Sequence, residues 1–275
     1  MRPIHIIIIA VIVVAVIIGL TIGRGFKGFR YNGTIGVIEI ESVIAYSKYI
    51  VQDLKNFGED PSIKAIVIRV NSPGGGVAAS QEIYDQIKKV TETKKVVVSM
   101  GAVAASGGYY VSLPADVIVA NPATITGSIG VIMEFPILEG LLKKLGIDFE
   151  VIKSKEHKDI GSPFRQISDK ERELLQDVVL DVYDQFVEVT AQERNLTIDS
   201  VLKFADGRII TGRQAKQIGF VDTLGSFEDA VKIAGDLVGI EEPSLIYPPK
   251  RLSFVDFLIR PMEFLLIPKL HYLWR

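Results

Sequence analysis

The chain contains no cysteine and only three histidines. That removes disulfides, thiol catalysis and thiolate metal sites, and leaves too few scattered imidazoles for a zinc site. Excess charge of either sign is missing too: 31 lysines and arginines stand against 33 aspartates and glutamates, a net charge of −2. No basic cluster with interleaved aromatics occurs, which argues against a nucleic-acid partner. A Walker motif and a GxGxxG fingerprint are both absent, so no nucleotide cofactor is expected, and no metal.

Charge is absent in one further place. Ile6 to Gly23 is an unbroken run of 18 uncharged residues, extended on its N-terminal side by Pro3, Ile4 and His5. As a helix it is about long enough to cross the hydrocarbon core of a bilayer. A cleavable signal peptide has a shorter apolar region and ends in an Ala-x-Ala-like site, which Gly19, Thr21 and Gly23 imitate poorly. The expectation is an uncleaved single-pass anchor over residues 1–25, which would put membrane lipid among the partners. Arg2 lies on one side of it and Arg24, Lys27 and Arg30 on the other, so the positive-inside rule alone points the body of the protein inward.

What remains reads as one α/β domain over residues 31–240 and a tail over 241–275. GTIGVIEI, KAIVIRV, KKVVVSM and ADVIVA are short apolar, β-branched runs separated by helical stretches, the pattern of βαβ units around a mostly parallel sheet. DFEVIK, before residue 154, is also strand-like. Ser168 and Glu171 form a capping box opening a long helix, roughly to Asn195, with Leu174, Leu175, Val178, Val182, Phe186 and Val189 along one face. It is longer than core filling requires and suits packing between subunits.

Three segments carry chemistry. GAVAASGGYY follows the strand-like KVVVSM and sets Ser106 among small residues, where a chain can turn sharply from strand to helix and present a nucleophile. The Gly107 amide would then face the oxygen of an attacked carbonyl. NSPGGG, Asn71 to Gly76, also reads as strand, glycine turn and helix, a place where backbone N–H groups are exposed to an anion or an oxyanion. SKEHKDIGSPFR carries Lys158 between His157 and Asp159. A serine hydroxyl needs a base, and a lysine serves once an apolar setting lets it shed its proton near neutral pH. His157 is the competing base. Neighbouring side chains diverge in extended backbone, so only one of the two can reach Ser106.

Together with TGSIGVI at 126–132 and GRIITGRQAKQIGFVD at 207–222, these motifs occur in an order that resembles the serine/lysine signal peptide peptidases, over roughly residues 33–240. The resemblance implies a Clp protease/crotonase-like fold of repeated ββα/βαβ units with an appended long helix, here preceded by the N-terminal transmembrane helix. It implies Ser106 as nucleophile and Lys158 as general base, with Ser128 hydrogen-bonded to the lysine. The oxyanion hole would combine the Gly107 amide with that of Gly74 or Gly75. It further implies hydrophobic peptide substrates such as cleaved signal peptides, a homo-oligomer, and an extracytoplasmic body at the cell membrane, against the charge rule.

Two rival readings remain. A crotonase-like enzyme would use the same sheet and oxyanion turn on an acyl thioester, with a carboxylate base. A non-catalytic scaffold would keep the dyad as a vestige. The tail from Arg251 is rich in Phe and Leu and carries Trp274, but Pro261 and Pro268 interrupt it. It suits either a segment lying on lipid or one docked on the body or a neighbouring subunit.

Overall fold

A computed structural model describes residues 34–249 and the backbone of 269–273. The anchor expected over residues 1–25 lies outside the described residues. Among the described residues no helix is long and apolar enough to cross a membrane.

The chain begins as β1 (Thr34–Glu41), α1 (Lys48–Glu59), β2 (Ile63–Ser72), β3 (Gly74–Gly76), α2 (Val77–Thr91), β4 (Lys95–Ala105) and α3 (Gly107–Tyr110). It continues through β5 (Val117–Ala120), β6 (Ile125–Gly127), β7 (Ile132–Glu134), α4 (Glu139–Lys144) and a 3₁₀ turn, Glu156–Asp159. Then follow α5 (Asp169–Glu193), α6 (Ile198–Leu202), β8 (Ile209–Thr211), α7 (Gly212–Gln217), β9 (Thr223–Leu224), α8 (Phe227–Val238), β10 (Ser244–Ile246) and β11 (Lys269–Leu273).

The main sheet runs β10-β1-β2-β4-β5-β9, and every pairing along it is parallel. A parallel sheet is covered on both faces, which is why its strands read as almost continuous apolar runs. Side chains alternate between the faces. Ile35, Val37, Ala65, Val67, Val97 and Val119 point to one side, where the small Ala230 and Ala234 let α8 approach closely. Ile38, Ile40, Ile66, Ile68, Val96 and Val98 point to the other, against Leu54 and Phe57 of α1, Ile83 and Ile87 of α2 and Phe186 of α5. The sheet extends past residue 240, since β10 adds to the β1 edge.

Strand β4 changes neighbours along its length. Val97–Met100 pair with β5, whereas Val103–Ala105 pair with β6, which in turn pairs antiparallel with β8. The crevice opened where β5 gives way to β6 is where the end of β4 emerges, the usual place for a ligand in an open parallel sheet. A second small sheet, β3-β11-β7, is antiparallel.

Two expectations are modified. The long helix has the predicted capping box and nearly the predicted span, but its buried apolar side chains, among them Val182, Phe186 and Val187, lie only in its second half. Leu174, Val178 and Leu180 are exposed. DFEVIK forms no strand. It finds no ladder partner among the described residues, and Phe149 instead stacks on Phe164 with ring centroids 4.0 Å apart.

Candidate active site

Strand β4 ends at Ala105, and α3 begins at Gly107. Between them Ser106 has φ 54° and ψ −118°. Positive φ on a residue with a side chain costs on the order of 1–3 kcal/mol and persists only where the surroundings enforce it. Two backbone bonds enforce it here: the Ser106 amide donates to the Gly127 carbonyl at 2.8 Å, and the Ser106 carbonyl accepts from the Tyr110 amide at 2.9 Å. The residue is 1 % exposed. Its hydroxyl has no hydrogen-bond partner among the described residues. A buried hydroxyl left without a partner calls for an explanation, and a catalytic role is one.

The glycine turn lies directly against this bend. A Cβ on Gly107 would stand 3.1 Å from the Gly74 Cα, 3.2 Å from the Gly75 nitrogen and 2.7 Å from Ser80 Oγ. The two motifs, far apart in sequence, therefore touch backbone to backbone, and only glycine fits at the contact. As the first residue of α3, Gly107 has an amide with no intrahelical acceptor. In the turn, the Gly74 amide donates to Ser72 Oγ at 3.1 Å. The Ile44 amide donates to the Gly74 carbonyl at 2.9 Å, and the Gly76 amide donates to the Ile44 carbonyl at 2.8 Å. Alternation along an extended segment then turns the N–H and C=O of Gly75 away from Ile44, toward the edge that β11 lines. Of the two glycines left open by the sequence, Gly74 has its amide bonded to Ser72 Oγ, whereas Gly75 turns its amide toward β11.

Ser128 is one residue beyond the Gly127 carbonyl that holds Ser106. It is buried and also at positive φ, 52°. Its amide donates to the Arg208 carbonyl at 2.8 Å. A cleft of about 550 Å³ opens beside it, lined by Ile129, Val131, Ile132, Tyr183 and Ala205 among others.

Lys158 is placed differently. It sits exposed on the 3₁₀ turn, its amide donating to the Lys155 carbonyl at 3.2 Å. Since the Ser106 hydroxyl is unpartnered, the two are not hydrogen-bonded to each other in this structure. His157 does not bond Ser106 either, and its Nδ1 is itself buried without a hydrogen bond, 3.9 Å from Glu171 Oε1. The structure thus brings together Ser106, Gly107, Gly74, Gly75 and Ser128, and shows no hydrogen bond from Lys158 to Ser106.

A network that the sequence did not single out holds the lysine turn. Arg165 donates to Asp159 Oδ2 at 2.8 Å and to Glu171 at 2.6 and 2.8 Å. Lys153 adds a bond to Asp159 Oδ1 at 2.6 Å. The Arg165 guanidinium, then Lys153, holds the Asp159 carboxyl well below the usual carboxylate range. Arg165 and then the Ser168 amide bring Glu171 down to about 2. A fork of this kind fixes orientation as well as charge. Asp159 and Arg165 lie inside the polar segment already noted, and Glu171 in the capping box, but nothing in their spacing showed that they meet.

The sequence profile of Peptidase family S49 matches residues 88–241, and that of Clp protease matches residues 37–117. A Synechocystis sp. protein bearing a protease name is 45 % identical over 79 % of this chain and 80 % of its own length. The chain belongs to peptidase family S49. Another S49 relative, an Enterococcus faecium protein bearing the name signal peptide peptidase SppA, is 39 % identical over 73 % of this chain and 60 % of its own length. The chloroplastic serine protease SPPA of Arabidopsis thaliana is 34 % identical over 79 % of this chain but only 33 % of its own length. Among solved structures, a ClpP1 mutant from Listeria monocytogenes superposes with a TM-score of 0.50 at 19 % identity, covering 71 % of this chain and 94 % of that one. The fold is therefore Clp protease-like, and the protein is an SppA-like serine-type protease of family S49.

Proposed function

We propose that the protein is a membrane-anchored endopeptidase that hydrolyses hydrophobic peptides, cleaved signal peptides among them, through Ser106 and Lys158. The observation that carries this reading is the buried, unpartnered hydroxyl of Ser106, held at positive φ against the Gly107–Gly75 contact. A bond forms between Ser106 Oγ and the peptide carbonyl carbon while the hydroxyl proton passes to the Lys158 amine. The oxyanion is held by the amides of Gly107 and Gly75. As the C–N bond breaks, Lys158 returns the proton to the leaving amine, and water then repeats the sequence on the acyl-enzyme. Ser128 orients the lysine. The reaction requires the 3₁₀ turn to bring Lys158 to the serine, and the Arg165 network sets the frame from which it moves.

The mainly apolar cleft beside Ser128, whose lining also includes Glu134, Gln176 and Asp206, supports the preference for hydrophobic side chains. The uncharged run Ile6–Gly23 supports an anchor that keeps the site near membrane-derived peptides. Exposed Leu174, Val178 and Leu180 on α5 support assembly into a homo-oligomer. The family resemblance supports an extracytoplasmic body.

The test is labelling of the full chain by a fluorophosphonate, alongside hydrolysis of a hydrophobic fluorogenic peptide, in wild type, Ser106→Ala and Lys158→Met. Both activities should vanish with Ser106→Ala. Turnover that survives that change refutes the reading and favours thioester chemistry, while a wild type that never labels favours a scaffold.

A further inference from the structure

Strand β4 leaves a gap where it trades β5 for β6, since Gly101 and Ala102 have partner residues in neither. A cavity of about 640 Å³ opens at this gap, walled by Met100, Gly101, Ala102, Ile125 and, at the start of α8, Phe227. Arg69 lines it as well, and by alternation continues the Ala65 and Val67 side of β2, the face that α8 covers. α2 and α3, which frame Ser106, pack on the other face. The Arg69 Nη1 donates to Ser99 Oγ at 2.8 Å and to the Met100 carbonyl at 3.3 Å, and the guanidinium lies 5.8 Å from the centroid of the Phe227 ring. Its Nε and Nη2 bond nothing among the described residues. Arg165, Arg194 and Arg208 each pair with a carboxylate, whereas half-buried Arg69 pairs with none among the described residues. Glu39, its register partner on β1, and Glu228 on the cavity wall temper the charge without bonding it.

We propose that this cavity binds the C-terminal end of a short peptide, with the terminal carboxylate on Nε and Nη2 of Arg69 and an apolar side chain against Phe227 and Ile125. A guanidinium drawn partly out of water keeps its need for acceptors, and its planar fork matches a carboxylate. The volume falls in the range of pockets for small organic ligands, about 300–1,000 Å³, and is more than a bare anion fills. The crevice at a strand-order switch is also where ligands of open parallel sheets gather. A protease makes the recognised group at every turnover: when water adds across a peptide bond, one fragment leaves with a new carboxylate. The sheet separates this cavity from Ser106, so a product held here leaves the nucleophile open. The proposal needs a protease, which the family supplies, and not the pairing of Ser106 with Lys158.

The experiment is calorimetric titration of the full chain carrying Ser106→Ala, which keeps hydrolysis out of the signal. Three probes are compared at fixed ionic strength: acetyl-alanyl-leucine, the same dipeptide as its C-terminal amide, and inorganic phosphate. The acid should bind saturably and the amide at least about tenfold more weakly, the loss expected for a charge-assisted pair. Adding Arg69→Gln should weaken binding of the acid by a similar factor. Ala123→Glu, at an exposed position on the cavity wall, sets a negative charge there while leaving the Arg69 bonds to Ser99 and Met100 in place, and should weaken it too. Should Arg69→Gln fail to fold, Ala123→Glu decides alone. Equal binding of acid and amide overturns the proposal, and so does binding of the acid that neither substitution changes. Phosphate bound as tightly as the acid overturns the assignment to a peptide end. Turnover is not read, so each of these outcomes leaves the Ser106 chemistry to its own test.

Discussion

The Ser106 amide donates to the Gly127 carbonyl at 2.8 Å, which places Ser106 and Ser128, at φ 54° and 52°, on adjacent strand ends. One residue of each strand end thus takes a conformation that side chains avoid.

The strain at Ser106 can be measured apart from activity. Ser106→Gly and Ser106→Ala should both be inactive. The glycine variant should nevertheless be the more stable by about 0.5–1 kcal/mol, because relief of a positive φ outweighs the entropy glycine adds to the unfolded chain. Urea denaturation midpoints decide it, and a less stable glycine variant would show that the backbone is relaxed.

Gly107→Ala should cost kcat about 10²–10³-fold. The added methyl meets Ser80 Oγ at 2.7 Å and the Gly74 and Gly75 backbone at 3.1–3.2 Å, and so pushes the Gly107 and Gly75 amides apart. Combining it with Ser80→Gly removes the closest contact but not the backbone ones. The double variant should recover part of the loss in peptide hydrolysis, and no recovery would place the damage elsewhere.

Lys158→Met should lower turnover by about 10²–10⁴-fold, whereas His157→Ala should leave most of it. The reverse ranking would make the histidine the base. This comparison matters because neither side chain bonds Ser106 in the structure.

Arg165 faces two carboxylates held below their ordinary range, Glu171 at about 2. Groups with depressed pKa stabilise the fold once pH is above their unfolded values, and lose that contribution as pH falls through the folded ones. The anchoring of the lysine turn should therefore persist from neutral pH to about 4.3, the ordinary glutamate value, and decay below it toward pH 2. Hydrogen exchange of residues 153–165 against pH reads this directly. Arg165→Ala should give the fast exchange already at neutral pH, with reduced kcat, and protection unchanged by that substitution would dismiss the network.

The exposed half of α5 offers a contrast with its buried half. Phe186→Ala, at a fully buried ring, should destabilise by about 3–5 kcal/mol. Val178→Glu should scarcely change thermal stability but should shift sedimentation toward smaller species. Unaltered sedimentation would remove this surface from the assembly.

The main sheet was legible because its strands are buried on both faces and so appear as unbroken β-branched runs. The start of α5 was legible because Ser168 and Glu171 form a box that is local in sequence. The glycine motifs were legible as turns. Which way each amide faces was not, because that depends on Ile44, a residue in an unremarkable loop whose bonds occupy one side of the turn. DFEVIK misled because alternation specifies a face to bury but not a neighbour to pair with. The Arg165 fork and the docking of β11 were hidden for the related reason that both join segments with no local signal for each other.

One consequence of the way β4 trades β5 for β6 concerns biosynthesis. The carbonyl that accepts from the Ser106 amide belongs to β6, and β6 is completed by β8, which is translated much later. A nascent chain that has not yet reached Ile209 has Ser106 but not the finished wall that poses it.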